Sequence, residues 1–192
     1  MSNPDGNAPM ADVGSYDDSG RLQVNLGAVG DDAPLATKVT GFTGLSATIT
    51  ETPTLATAEH AAGDVVGGLL TFDDAARTAA GSGFVAQVTI VDDAGADVEM
   101  ELWLFNDQPD AIADDAAFAP TADDLHNVAG IFSTTDGSWR AAGTPSVCVI
   151  PNKVCQFNLV SGTDLYGYLV TRAAYTPAAA TNITVMLGVI KD

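Results

Sequence analysis

The run FVAQVTIVDDAGADVEMELWLF, residues 84–105, alternates apolar and polar side chains on either side of a turn-forming segment. Successive side chains on a strand point to opposite faces, so Phe84, Ala86, Val88 and Ile90 share one face and Val98, Met100, Leu102 and Leu104 share one face of the next strand. The stretch from Asp92 to Asp97 between them holds Asp and Gly, residues that turns favour. The pattern predicts a β-hairpin with one buried face, its outer face mixing Glu99 and Glu101 with Trp103 and Phe105.

Working outward, short apolar runs punctuated by turn residues continue to the last residue. Residues 48–55, 64–72, 127–133, 146–150, 154–160, 165–172 and 182–190 each read as a strand. With the two arms of the hairpin they make about nine strands, the pattern of an all-β sandwich or barrel. Residues 107–125 (DQPDAIADDAAFAPTADDL) form a long Asp-, Ala- and Pro-rich connection with room for a helical turn. Residues 1–46 differ: Gly, Asp, Pro, Asn and Ser dominate, and only Leu22, Val24 and Leu26 give an alternating apolar patch. Such a segment buries too little apolar surface to offset its own ordering, so it reads as an extended N-terminal arm that orders against a neighbour. The body is residues 47–192.

The 192 residues carry 25 Asp and Glu against 7 Lys and Arg, a net charge of −18. A chain so acidic is repelled by phosphate backbones and anionic lipid, which argues against nucleic-acid and membrane-surface partners, and the charge suits a saline setting. The N-terminus has neither the basic nor the apolar region of a secretory signal, and no stretch approaches the roughly 18 apolar residues of a membrane span. The expected place of synthesis is a cytoplasm.

Cys148 and Cys155 are the only cysteines, and they flank Pro151-Asn152 in SVCVIPNKVCQF, residues 146–157. A reversal at Pro151-Asn152 would place them on facing positions of adjacent strands, near disulfide reach. The spacing is not that of a redox or zinc motif. The residues leave open two unpaired thiols or a cross-strand disulfide, with metal or catalytic use disfavoured. His60 and His126 are the only histidines, and neither sits in a nucleophile motif. Asp92, Asp93 and Asp97, and Asp114, Asp115, Asp123 and Asp124, cluster in loops with oxygen ligands for a hard cation, but without the order of a calcium loop. No phosphate-binding glycine loop, dinucleotide fingerprint or zinc-protease motif occurs. The expectation is a chain with no catalytic residues, no metal and no cofactor.

Six segments taken in order, AGDVVGGLLTF (62–72), GFVAQVTIVD (83–92), ELWLFNDQP (101–109), DDLHNVAGI (123–131), SGTDLYGYLVTR (161–172) and ITVMLGVIKD (183–192), resemble a family of small virion structural proteins of tailed bacteriophages. The resemblance implies a jelly-roll-like antiparallel β-sandwich acting as a capsid decoration or cement protein on the exterior of the phage head. It implies the major capsid protein as partner and self-association, a trimer favoured, with Leu22, Val24 and Leu26 of the arm contacting the neighbour. The arm and the cysteine pair depart from the family pattern. A tail, fibre or head-to-tail component is the alternative, and a carbohydrate-binding module or hydrolase a more distant one, since jelly rolls host both.

Overall fold

A computed structural model of the protein describes residues 45–151 and 154–192 and, as backbone alone, β1 (Val13–Tyr16) and β2 (Leu22–Val24). The chain divides into two compact units, residues 1–42 and 43–192. In the first, β1 and β2 pair antiparallel, with Val13 opposite Val24 and Tyr16 opposite Leu22. Two residues of the alternating apolar patch, Leu22 and Val24, therefore belong to a short two-stranded ribbon. Leu26 lies outside the described residues.

The second unit is all-β. Its strands are β3 (Leu45–Glu51), β4 (Val65–Phe72), β5 (Ser82–Asp92), β6 (Met100–Phe105), β7 (Val128–Ser133), β8 (Trp139–Ala141), β9 (Ser146–Ile150), β10 (Cys155–Asn158), β11 (Leu165–Thr171) and β12 (Ile183–Lys191). One sheet runs β3-β12-β5-β9-β8 with β10 also paired to β5, and the other runs β4-β11-β6-β7. Every pairing is antiparallel. With β9 and β10 taken as one interrupted strand and the short β8 set aside, eight strands remain: the first, eighth, third and sixth form one sheet, the second, seventh, fourth and fifth the other. That nesting is the jelly roll, two Greek keys folded into a sandwich.

Two sequence expectations need correction. Residues 84–105 do not form a hairpin. β5 pairs with β12, β9 and β10, whereas β6 pairs with β11 and β7, so the Asp92–Asp97 segment crosses from one sheet to the other. Two amphipathic strands joined by a turn satisfy their apolar faces equally well side by side or face to face across a core, and alternation alone does not distinguish these. The face of β5 also switches. Val85 pairs with Val189 and Gln87 with Gly188, leaving Ala86 as an extra residue in a β-bulge. Beyond the bulge Val88 and Ile90 point inward as expected, but before it Val85 is the buried residue and Phe84 faces out.

The second correction concerns the cysteines. β9 and β10 lie end to end along the same edge of β5, with Cys148 opposite Ile90 and Cys155 opposite Val85. Five residues of strand separate these partners, roughly 17 Å at about 3.4 Å per residue, far beyond the roughly 7 Å between Cα atoms that a disulfide tolerates. Both cysteines are free. Pro151 cannot donate to a ladder, so the chain leaves β5 there, but it returns in the same direction instead of reversing.

The core lies between the sheets. Val85, Val88, Ile90, Cys148, Ile150, Val185 and Leu187 from one side meet Leu70, Phe72, Leu102, Leu104, Phe132, Leu165 and Leu169 from the other, all at most 2% exposed. Each such apolar side chain contributes about 1.5–3 kcal/mol on burial. Gly67 admits a close crossing in β4: it adopts φ +85°, and a Cβ there would stand 2.2 Å from Cβ of Pro53.

Candidate functional site

The two outer faces of the sandwich differ. Over the four-stranded sheet, the loop of residues 107–121 folds back as a cover. Ile112 and Phe118 pack on a second apolar cluster of Val65, Phe105, Tyr168 and Val170. The Phe118 ring lies 5.1 Å from that of Trp103 and 5.8 Å from that of Tyr168. The Tyr168 hydroxyl fastens the loop, donating to the Asp110 carbonyl at 2.8 Å and accepting from the Ile112 amide at 2.9 Å. The aromatic face expected around Trp103 and Phe105 is thus covered from within the chain, and Glu101 beside it accepts from Trp103 Nε1 and pairs with Arg172.

Asp114 and Asp124 hold this cover in place. Asp114 accepts from the amides of Ala56 and Gly67 and from the ring of fully buried His60, whose Nε2 stands 2.9 Å from Oδ1. Burial pushes the Asp114 carboxyl up, but these donors outweigh it and hold the pKa below the ordinary carboxylate value. The other ring nitrogen of His60 faces the Ala58 carbonyl at 3.2 Å, so both nitrogens are engaged within the protein. A His–Asp pair suggests a general base, but this ring is sealed and has no lone pair turned to a substrate. Asp124 closes a capping box at the start of the short helix α1 (Ala122–His126), bonding the amide and hydroxyl of Thr121, and accepts from the Asp110 amide. Its pKa is likewise lowered, because these donors outweigh the upward push of burial. Asp92 is consumed by the amides of Ala94 and Ala96 and by Asn182. These three members of the acidic clusters fix loops to the body. Among the described residues no group of three or more His, Cys, Asp or Glu side chains converges as metal ligands would.

Among the described residues, nothing covers the outer face of the six-stranded sheet. Across β3, β12 and β5 it presents Ser46, Thr48, Thr50, Thr184, Met186, Gly188, Ile190, Phe84, Gln87, Thr89 and Val91, without one ionisable group. A shallow groove of about 620 Å³ crosses it over the bulge, lined by Thr48, Gln87, Thr89 and Met186 among others. Phe84 and Ile190 pair across strands and are 37% and 39% exposed, and Val149 on β9 is 41% exposed. Arg140 of β8, in register with Val147 and through it with Val91, lies on the same face at its far margin. In a chain of net charge −18, the β3-β12-β5 part of this face, free of ionisable side chains and carrying exposed apolar ones, has the composition that suits contact with another protein.

Cys148 is buried in the core and its Sγ lies 3.6 Å from the Thr134 carbonyl, while Cys155 is partly buried with Sγ 3.1 Å from the Ala129 carbonyl. Burial pushes both thiols up, a direction that disfavours nucleophilic or metal-binding use. Of the expected arm contacts, Leu22 and Val24 lie on β2 and Leu26 lies outside the described residues. The bare face was missed in the sequence because its residues come from three strands far apart in the chain. The polar positions of residues 46–52 and 184–190 carry Ser, Thr, Met, Gly and Ile where other strands carry Glu or Asp, and that was the available signal.

Fold and site together define a jelly-roll domain in which, among the described residues, one sheet face is covered and the other is open. Comparison with protein-family models, with curated proteins and with solved structures returns no match for the chain.

Proposed function

We propose that the protein is a non-enzymatic structural component of a virus particle, a decoration or cement protein seated on the exterior of a phage head and bound to the major capsid protein. The observation that carries this reading is the asymmetry of the sandwich: on one side an open sheet face whose β3-β12-β5 part carries no ionisable side chain, on the other a covered sheet with an acidic loop. The open sheet lies on the shell, where it meets a protein surface without like-charge repulsion. The acidic side faces solution, and its charge keeps particles apart. The jelly roll supplies a rigid body, and the N-terminal segment adds contacts to a neighbouring subunit. Binding by burial of a flat face needs no cofactor, and a modest gain per copy accumulates over a lattice of repeated sites.

A glycan-binding reading is less well supported by the same face, because among the described residues Phe84 is the only aromatic side chain on it and one ring makes no stacking platform. The test is co-sedimentation of the purified protein with purified heads stripped of it. Gln87→Glu with Met186→Glu places two carboxylates in the centre of the open face without touching the core. We expect these changes to abolish binding while far-ultraviolet circular dichroism is unchanged. Undiminished binding by the double variant would overturn the assignment of the face.

A further inference from the structure

The sheet margins are not equally protected. The free edge of β4 is closed by its own loop: Val65 donates to the Ala116 carbonyl at 2.9 Å, the Asp115 amide donates to the Val65 carbonyl at 3.0 Å, and the Gly67 amide is taken by Asp114 at 2.6 Å. β7 lies against β10, so closely that a Cβ on Gly130 would stand 2.5 Å from Cys155 Sγ. β8 is three residues long and carries Arg140. These are ordinary ways to blunt an edge. β3 has none of them. Over seven residues, LSATITE, it holds no Pro, Lys or Arg, and among the described residues its backbone pairs with β12 alone.

We propose that this edge pairs with the same edge of a second copy, antiparallel across a two-fold axis at Thr48, joining two six-stranded sheets into one. The register follows from the sequence. Full overlap of residues 45–51 sets Thr48 against Thr48, Ser46 against Thr50 and Ala47 against Ile49 of the other copy. Hydroxyl pairs then lie on the open face and apolar pairs on the core side, both favourable across strands. Glu51 is the strand's sole ionisable residue, and it falls opposite Leu45. The two Glu51 residues stand at opposite ends of the ladder, roughly 20 Å apart at about 3.3 Å per residue, beyond the Debye length of about 8 Å at physiological salt. Two copies of a chain of charge −18 thus meet at an edge where no like charges face each other. An isologous contact of this kind closes at two copies. It leaves the open faces of both copies on one continuous surface and is compatible with a three-fold ring built elsewhere on the molecule. It does not depend on the capsid reading.

The test uses the full chain without any shell. Sedimentation velocity is run at low salt and at about 1 M salt, where the Debye length falls to about 3 Å. The pair is expected to grow with salt as long-range repulsion is screened. Thr48→Cys brings two thiols to facing positions about 4.5–5.5 Å apart, and under mild oxidation most of the chain is expected to become covalent dimer. Thr184→Cys, on the same face but one strand in from the edge, is expected to stay uncrosslinked. Thr48→Glu sets like charges opposite each other and is expected to abolish the pair. Three results would each overturn the proposal: a monomer at both salt concentrations; a three-fold assembly in which Thr48→Cys crosslinks no faster than Thr184→Cys; or a monomer whose β3 amides resist hydrogen exchange, which would mean that the chain's own N-terminal unit occupies the edge.

Discussion

Asp92 is fully buried, and its two carboxylate oxygens are engaged by the amides of Ala94 and Ala96, at 3.0 and 2.9 Å, and by the side chain of Asn182. Asn182 returns the contact through its carbonyl, which accepts from the Asp93 amide at 2.9 Å. This knot turns the chain from one sheet to the other and ties the crossing to the start of β12. Asp92→Ala would strand one buried donor, the Asn182 side-chain amide, at about 1–3 kcal/mol, and leave two partly buried backbone amides without their carboxylate at a smaller cost. We expect a loss of about 2 kcal/mol or more, read as a lower midpoint in urea unfolding. The sequence showed Asp92 as a turn residue, which it is, but a partner ninety positions away leaves no local trace.

Asp114 has a pH signature at the same scale. Its pKa is lowered in the fold, so its contribution to stability is complete above the unfolded carboxylate value, near 4, and is lost as pH falls through the lower folded value. Acid also relieves the self-repulsion of the whole chain, so the informative quantity is a difference. The stability gap between wild type and Asp114→Asn should be widest near neutral pH, hold until about pH 4, and shrink below it. Urea unfolding at a series of pH values measures it. His60 was legible only as one of two histidines without a motif. Its partner sits in a loop whose Asp residues all look alike in sequence.

At the scale of elements, strand positions were readable because their apolar runs and turn residues are local. β4, β7, β9, β11 and β12 fall within one residue of the expected ranges. Pairing was not readable. The runs on either side of Pro151 look like the two arms of a hairpin, and only the shared neighbour β5 shows that they are one strand interrupted. β8 was missed altogether: three residues ending in Arg140 and Ala141 carry too little pattern to register. The interrupted strand has a chemical consequence. With the thiols apart and raised in pKa by burial, a thiol reagent such as Ellman's is expected to react slowly with the native protein at pH 8 and to titrate two thiols once it is denatured without reductant. A count of zero under those conditions would show a disulfide.

At the scale of the whole molecule, charge is the property most plainly written in the sequence, and its distribution is the property least so. Twenty-five acidic residues state that the chain repels anions. They do not state that the outer face of three strands escapes them, because only the jelly-roll topology brings residues 46–50, 84–91 and 184–190 onto one face. The fold class followed from strand number and alternation. The open face required knowing which strands are neighbours. The chain divides into units of residues 1–42 and 43–192, and the strands that form the open face all belong to the second.

The central claim is that the protein coats the outside of a phage head. Immunogold labelling of intact particles produced by the genome that encodes it, with copy number measured on the same particles, tests that claim most directly. The account predicts dense label over the head and a copy number comparable to that of the capsid subunits. Label confined to the tail or a single vertex, or absent from the particle, would contradict it.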